Sequence, residues 1–198
     1  MNKQWVPVVG VLVALVMGGF ALVWFGPDQA VAVGAKAPNY KALNLKTGDS
    51  IALRSHYQGH VTLVNIWATW CEPCKEEMPA MQRLYDSLGA RGFKIAAVSI
   101  DQQGPEVVRA FANDLKLSFD ILQDRSSKIQ QAYQTPGVPE SFLLDDRGII
   151  MKRVIGAHEW DSPVNLGLVR RLLGDTAIMP DSASHARVQR DTLPAAAR

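Results

Sequence analysis

The chain has 198 residues, 47% of them hydrophobic and 20% charged, with a formal net charge of +2. That is the composition of one ordinary globular domain with appendages. The near-neutral balance offers no basic stripe with interleaved aromatics, which argues against a nucleic-acid partner.

The amino end stands apart. No residue from Trp5 to Phe25 is charged, and the run is rich in Val, Leu, Ala and Gly. As a helix it would extend roughly 30 Å, the thickness of a hydrocarbon core. Trp5 and Trp24 lie near its two ends, where amphipathic rings favour the headgroup layer. Lys3 and the terminal amine flank one side, and Asp28 is the first charge on the other. The positive-inside rule keeps this end cytoplasmic and exports the rest of the chain. The expectation is a single-pass inner-membrane protein whose domain faces the periplasm or other extracytoplasmic side. Ala30-Val31-Ala32 resembles a signal-peptide cleavage site, but the apolar run is longer than a typical signal core and favours a retained anchor. The expected organisation is an anchor over 1–26, a tether over 27–36, a folded domain over 37–174 and a disordered tail over 175–198.

Within the domain, Tyr40–Leu45 and Ser50–Leu53 read as short strands joined by the turn Lys46-Thr47-Gly48-Asp49, an amino-terminal β-hairpin. His60–Trp67 is almost continuously apolar, which predicts a central strand buried on both faces. Cys71–Leu88 has helical spacing through Met78, Met81, Leu84, Tyr85 and Leu88, with Pro79 inside it. Phe93–Ile100 reads as a second buried strand, and Pro105 opens a helix through Val108, Phe111 and Leu115. Next come a short strand over Phe119–Leu122 and a helix over Ser127–Tyr133. Ser141–Leu144 and Ile149–Ile155 flank Asp145-Asp146-Arg147-Gly148, a second hairpin signal. A last helix is expected from Trp160 to Leu173-Gly174. The order βαβ, αβ, hairpin and closing helix predicts an α/β domain with a mixed sheet flanked by helices.

The chain has two cysteines, in Cys71-Glu72-Pro73-Cys74. They come after the strand that ends at Trp67 and open a helix. A thiol there meets unpaired backbone N–H groups and the positive end of the helix dipole, both of which favour its thiolate. The second thiol, one turn further on, is placed to close a disulfide with the first. Redox cycling is the reading favoured. A zinc half-site would need further ligands, and His56, His60, His158 and His185 show no paired spacing. A purely structural disulfide would close too short a loop for much entropic benefit.

Three separated segments carry a family resemblance. Trp67-Ala68-Thr69-Trp70-Cys71-Glu72-Pro73-Cys74 with Glu76-Glu77-Met78-Pro79, then Gly137-Val138-Pro139-Glu140-Ser141-Phe142-Leu143-Leu144-Asp145, and the opening Val33–Asn39 resemble the TlpA/ResA family. These are membrane-anchored, thioredoxin-fold thiol-disulfide oxidoreductases related to the DsbE branch. The resemblance spans roughly Val33 to Leu173. It implies a thioredoxin-like fold with a central inserted helix-containing segment, preceded by one transmembrane helix.

The resemblance also implies roles. Cys71 is the attacking thiolate and Cys74 the resolving one, so no cofactor is needed beyond the redox-active Cys71–Cys74 disulfide. Pro139 is the cis-proline facing the dithiol, and substrate lies extended against the backbone of Val138. Trp70, Glu72 and Pro73 complete the substrate-binding face. Cys74 must lose a proton to resolve the mixed disulfide. Plain thioredoxins use a buried aspartate where this chain has Asn65, which cannot accept a proton. Glu77, one helical turn after Cys74, takes the role, as the family's glutamate does, while Glu76 is the solvated neighbour. The acidic Glu72 disfavours a thiolate and biases the protein toward a reductant. The implied partners are protein disulfides, among them apocytochrome c, and a membrane thiol carrier of the DsbD/CcdA type as electron donor. A peroxiredoxin-type peroxidase would need a threonine where Ala68 stands, and a tethered holdase would not need Cys71 at all.

Overall fold

The computed structural model describes residues 30–175, together with Leu12, Val13, Leu15 and Met17. The chain divides into two units, Met1–Ala30 and Val31–Arg198, and the second holds the fold. The expected membrane helix over Trp5–Phe25 lies outside the described residues except for those four. No helix among the described residues is long and apolar enough to cross a membrane. The tail beyond Asp175 also lies outside them.

One seven-stranded mixed sheet organises the domain, in the order β2-β1-β5-β4-β3-β6-β7. Its strands are β1 Lys41–Asn44, β2 Ser50–Ala52, β3 Thr62–Trp67, β4 Lys94–Ser99, β5 Asp120–Gln123, β6 Glu140–Leu144 and β7 Ile150–Ile155. β3, β4 and β5 run parallel, linked by helical crossovers, while β6 and β7 return antiparallel. Every residue of β3 is buried, because β4 and β6 flank it and helices cover both faces.

At the other end of the sheet, β1 pairs antiparallel with both β2 and β5. Its turn to β2 is shaped by Asn44, whose Oδ1 accepts from the N–H groups of Lys46 at 2.9 Å and Thr47 at 3.3 Å. Gly48 supplies the left-handed residue at φ 81°, where a side chain would be strained.

The helices are α1 Leu53–His56, α2 Glu72–Leu88, α3 Pro105–Asp114, α4 Lys128–Ala132 and α5 Pro163–Leu172. In α2 the buried positions are Cys74, Glu77, Met78, Ala80, Met81, Leu84 and Leu88. Their spacing of three and four makes one stripe on the sheet. Each large apolar member contributes about 1.5–3 kcal/mol of burial, enough to hold Glu77 on that stripe as part of the helix. α2 continues through Pro79, whose missing N–H costs one hydrogen bond. α3 packs its Phe111 ring 5.0 Å from that of Trp67, closing the sheet beside the end of β3.

Three differences from the sequence-based expectation have physical reasons. Residues 31–36, expected in the tether, belong to the domain. Val31 is buried, Gly34 N–H donates to Ile150 O at 2.8 Å and Lys36 bridges to Ile149. This segment covers backbone that an edge strand would otherwise leave open. α5 starts at Pro163 rather than near Trp160, since a proline suits a first helical turn and restricts the residue before it. Trp160 is instead buried in the preceding loop. The single-turn α1 has no counterpart in the expected elements, being too short for a periodic signal.

Candidate active site

The end of β3 leads through Ala68-Thr69-Trp70 to Cys71, which caps α2. Cys71 and Cys74 form a disulfide, with Cα atoms 5.3 Å apart. Cys71 Sγ accepts a hydrogen bond from Cys74 N–H at 3.3 Å, so the first sulfur sits against the unpaired donors of the helix start. Pro73 lies in the first turn, where its missing N–H costs nothing. Cys71 is 5% exposed and Cys74 is fully buried. Only the first has a face toward solvent.

The approach loop is anchored by Asp101, a residue that the sequence pattern did not single out. It stands just beyond β4 and is buried. Its Oδ2 accepts from Thr69 N–H at 2.9 Å and from Ser99 Oγ at 2.6 Å, and its Oδ1 accepts from Thr69 Oγ at 2.6 Å. Charge-assisted bonds of this length are strong, and they fix the loop two residues before Cys71. The one signal in the sequence is an acidic residue directly after a buried strand.

Val138–Pro139 is a cis peptide bond, as the resemblance implied. Val138 and Gly137 line a groove of about 660 Å³ together with Trp70, Asp101, Gln103 and Gln130. The structure therefore brings Trp70 and Val138 together, and Trp70 is 66% exposed. Pro139 is buried, and its carbonyl accepts from Gly156 N–H at 2.9 Å, joining this loop to the end of β7. The next residue, Glu140, is buried and paired with Arg153 at 2.5 Å. Arg153 also donates to Val31 O at 2.8 Å and Gln134 O at 2.9 Å, tying both ends of this region to the sheet. Glu72 points outward and pairs with Lys75 at 2.9 Å, and Pro73 is exposed beside it.

Glu77 lies one helical turn after Cys74 on the buried stripe of α2, 3% exposed. Asn65, in the middle of β3, donates from Nδ2 to Glu77 Oε1 at 2.7 Å and to Ser141 Oγ at 2.9 Å. The His158 backbone N–H donates to Oε2 at 3.2 Å. Burial pushes the Glu77 carboxyl from 4.5 up to about 7, against the Asn65 amide, the His158 N–H and the Trp160 indole, which pull it back. The Trp160 indole acts from outside good hydrogen-bond geometry, since its buried Nε1 makes no well-formed hydrogen bond. A carboxyl poised near neutrality, one turn from a buried thiol, suits proton exchange. Glu76 is exposed, in agreement with its expected solvation.

Glu77 also borders a cleft of about 630 Å³ between α2 and the loop that precedes α5, with Glu76, Arg83, His158 and Asp161 among its walls. Neither His158 nor Trp160 was expected in the site. A backbone N–H has no residue signature, and Trp160 registers in the sequence only as an apolar residue. Among the described residues no group of three or more histidine, cysteine, aspartate or glutamate side chains is placed to hold a metal.

Comparison with known proteins agrees with this geometry. Residues 33–153 match the AhpC/TSA family. The thiol-disulfide oxidoreductase ResA of Geobacillus kaustophilus is 37% identical over 134 residues, covering 67% of this chain and 75% of that protein. ResA of Bacillus thuringiensis is 32% identical over 151 residues, covering 74% of this chain and 86% of that protein. Among solved structures, a Chlorobium tepidum chain assigned to the DsbE thiol:disulfide interchange proteins superposes with a TM-score of 0.65 at 28% identity. It covers 72% of this chain and 99% of its own.

Proposed function

Because the chain belongs to the AhpC/TSA family, and within it to the ResA/DsbE-like proteins of thioredoxin fold, we propose that it is an exported, membrane-tethered reductant of protein disulfides. Its chemistry is that of a thiol-disulfide oxidoreductase. The observation that carries the dithiol-exchange chemistry is the unequal placement of the two sulfurs, 5% and 0% exposed, with a buried carboxyl raised to about 7 one helical turn beyond the second.

In the reduced protein, the Cys71 thiolate attacks one sulfur of a substrate disulfide and expels the other as a thiolate. Cys74 gives its proton to Glu77, attacks the Cys71 sulfur, and releases the second substrate thiol while the Cys71–Cys74 disulfide closes. Two electrons pass to the substrate. A membrane thiol carrier of the DsbD/CcdA type restores the dithiol by the reverse exchange. Substrate lies extended along the Trp70–Val138 groove and pairs with the Val138 backbone.

The tether is supported by the uncharged run Trp5–Phe25 and by likeness to a membrane-anchored family. On the same likeness, the substrate is apocytochrome c, whose haem-attachment cysteines must be reduced. The family match also brings peroxidases into view, but Ala68 stands where a peroxide-activating threonine is required. The test is the reduction potential and a membrane assay on the full chain. We expect a potential well below that of strong oxidants, and retention in the membrane after alkaline carbonate washing. A potential near about −120 mV, or release of a shorter soluble form beginning near Val33, would overturn the reductant and the tether respectively.

A further inference from the structure

We propose that Lys152, His158 and Asn165 are positioning residues for Glu77, bracing the loop between β7 and α5 so that the His158 backbone N–H stays on the carboxyl. The inference rests on the reading of Glu77 as the proton acceptor for Cys74. Because the donor to Glu77 Oε2 is a backbone group at 3.2 Å, the bond depends on where the loop lies.

Three side chains determine that. Lys152 Nζ, reaching across from β7, lies 3.0 Å from His158 Nε2 and donates to Asn165 Oδ1 at 2.8 Å. Asn165 Nδ2, from α5, lies within reach of Glu159 O at 2.7 Å, Ser162 Oγ at 2.9 Å and His158 Nε2 at 3.0 Å. Its two hydrogens serve two of these at a time. Asn165 is 2% exposed, so truncating it would strand buried polar partners. The same triangle seats Trp160, with the His158 ring 4.9 Å and Lys152 Nζ 5.4 Å from its ring centroids. It therefore controls two of the groups that lower the Glu77 pKa.

Lysine offers only donors, so His158 Nε2 accepts and the ring proton sits on Nδ1. Protonating the ring would set two cationic donors against each other. The charged groups facing this region are Lys152 from β7, Glu76, Glu77 and Arg83 from α2, and Glu159 and Asp161 from the loop itself. Arg83 pairs with Asp161 at 2.6 Å and links α2 to the loop from outside, but the arginine is 60% exposed and such pairs hold weakly. The inner triangle is the stronger brace.

The test uses the reduced full-length chain and dithionitrobenzoate, an aromatic disulfide whose reaction reports both steps. Cys71 attack releases one coloured thiolate, and Cys74 attack on the mixed disulfide releases a second. With Lys152→Met, the second release should slow about tenfold at neutral pH, a fraction of the hundredfold or more that a general base contributes. Its pH midpoint should move upward, because Glu77 has lost a donor. The first release should stay close to wild type, and Lys152→Arg should recover most of the loss. Asn165→Ala should behave like Lys152→Met; if it fails to fold, the half-buried Lys152 still allows the test. Variants that melt earlier yet keep the wild-type second release and pH midpoint would show a merely structural brace and overturn the proposal. If Glu77→Gln slows the second release but Lys152→Met does not, the brace fails alone. If Glu77→Gln has no effect, the reading of Glu77 fails and the brace falls with it.

Discussion

The two sulfurs of the dithiol are separated by three positions in the chain, yet they meet opposite surroundings. Cys71 keeps a small exposed face and follows the exposed Trp70, which borders a groove lined by Gln102, Gln103, Gln130 and Val138. Cys74 is fully buried, one helical turn before a Glu77 that is held by Asn65 and the His158 N–H. In the proposed mechanism the outer side admits a partner's backbone and the inner side handles one proton. One helix start divides the labour, because its first residue caps the helix and the residue a turn later points to the sheet.

The sharpest way to break this comparison is to remove one sulfur at a time. Cys71→Ala should abolish electron transfer to any protein disulfide. Cys74→Ala should still attack, and should accumulate a mixed disulfide that non-reducing electrophoresis detects and mass spectrometry of the trapped partner names. Equal silence from both variants would mean that the sulfurs do not divide the steps as described.

Next in size is the inner carboxyl. Glu77→Gln should slow release of the mixed disulfide by about a hundredfold, with little effect on its formation. With Glu77 near 7, resolution in the wild type should rise with pH and level off above that value, since the base works as carboxylate. Stopped-flow profiles between pH 5 and 9 test both statements, and a variant that retains the wild-type rise would move the base elsewhere.

Much of this division was legible in the sequence, and the reason is local. Cys71, Cys74 and Glu77 share one helix, so their spacing alone places them on related faces. The burial of β3 comes from an almost continuous apolar run, and Asn65 within it stands out because it takes the place of the buried aspartate of plain thioredoxins. The hidden part is assembled across the chain. His158 reaches Glu77 from 81 positions away through a backbone group, and Asp101 reaches Thr69 from 32 away. No periodicity encodes such meetings. The start of α5 is hidden for a related reason: Trp160 looks like a helix's first apolar residue, whereas it is buried as the plug of a loop.

The inner side should also leave a mark on stability. A carboxyl whose folded value is raised from 4.5 to about 7 holds its proton more tightly in the native state than when unfolded. Its contribution is therefore fully present below about pH 4.5 and is lost as pH rises through 7. On the oxidised protein, Glu77→Gln should be close to neutral at pH 4 and stabilising at pH 8. The difference is on the order of 3 kcal/mol at about 1.4 kcal/mol per pH unit, reduced by the two hydrogen bonds that the amide remakes less well. Denaturant melts at the two pH values check it, and equal effects at both would mean that the carboxyl is not perturbed by burial.

The smallest effect belongs to the outer side. Glu72 is exposed and paired with Lys75, so solvent and a neighbouring cation both weaken its field at Cys71. Its charge favours the helix start equally in the oxidised and reduced protein, and that part cancels in a redox couple. The remaining part is repulsion of the Cys71 thiolate, which exists only in the reduced state. Removing it with Glu72→Gln should raise the reduction potential, by less than the roughly 30 mV that marks a tenfold change in equilibrium. The shift should shrink at low pH, where Cys71 is a neutral thiol with no charge to repel. Equilibration against glutathione at pH 8 and again at pH 6 separates the causes, and a shift of the same size at both would assign it to the helix start rather than to the thiolate.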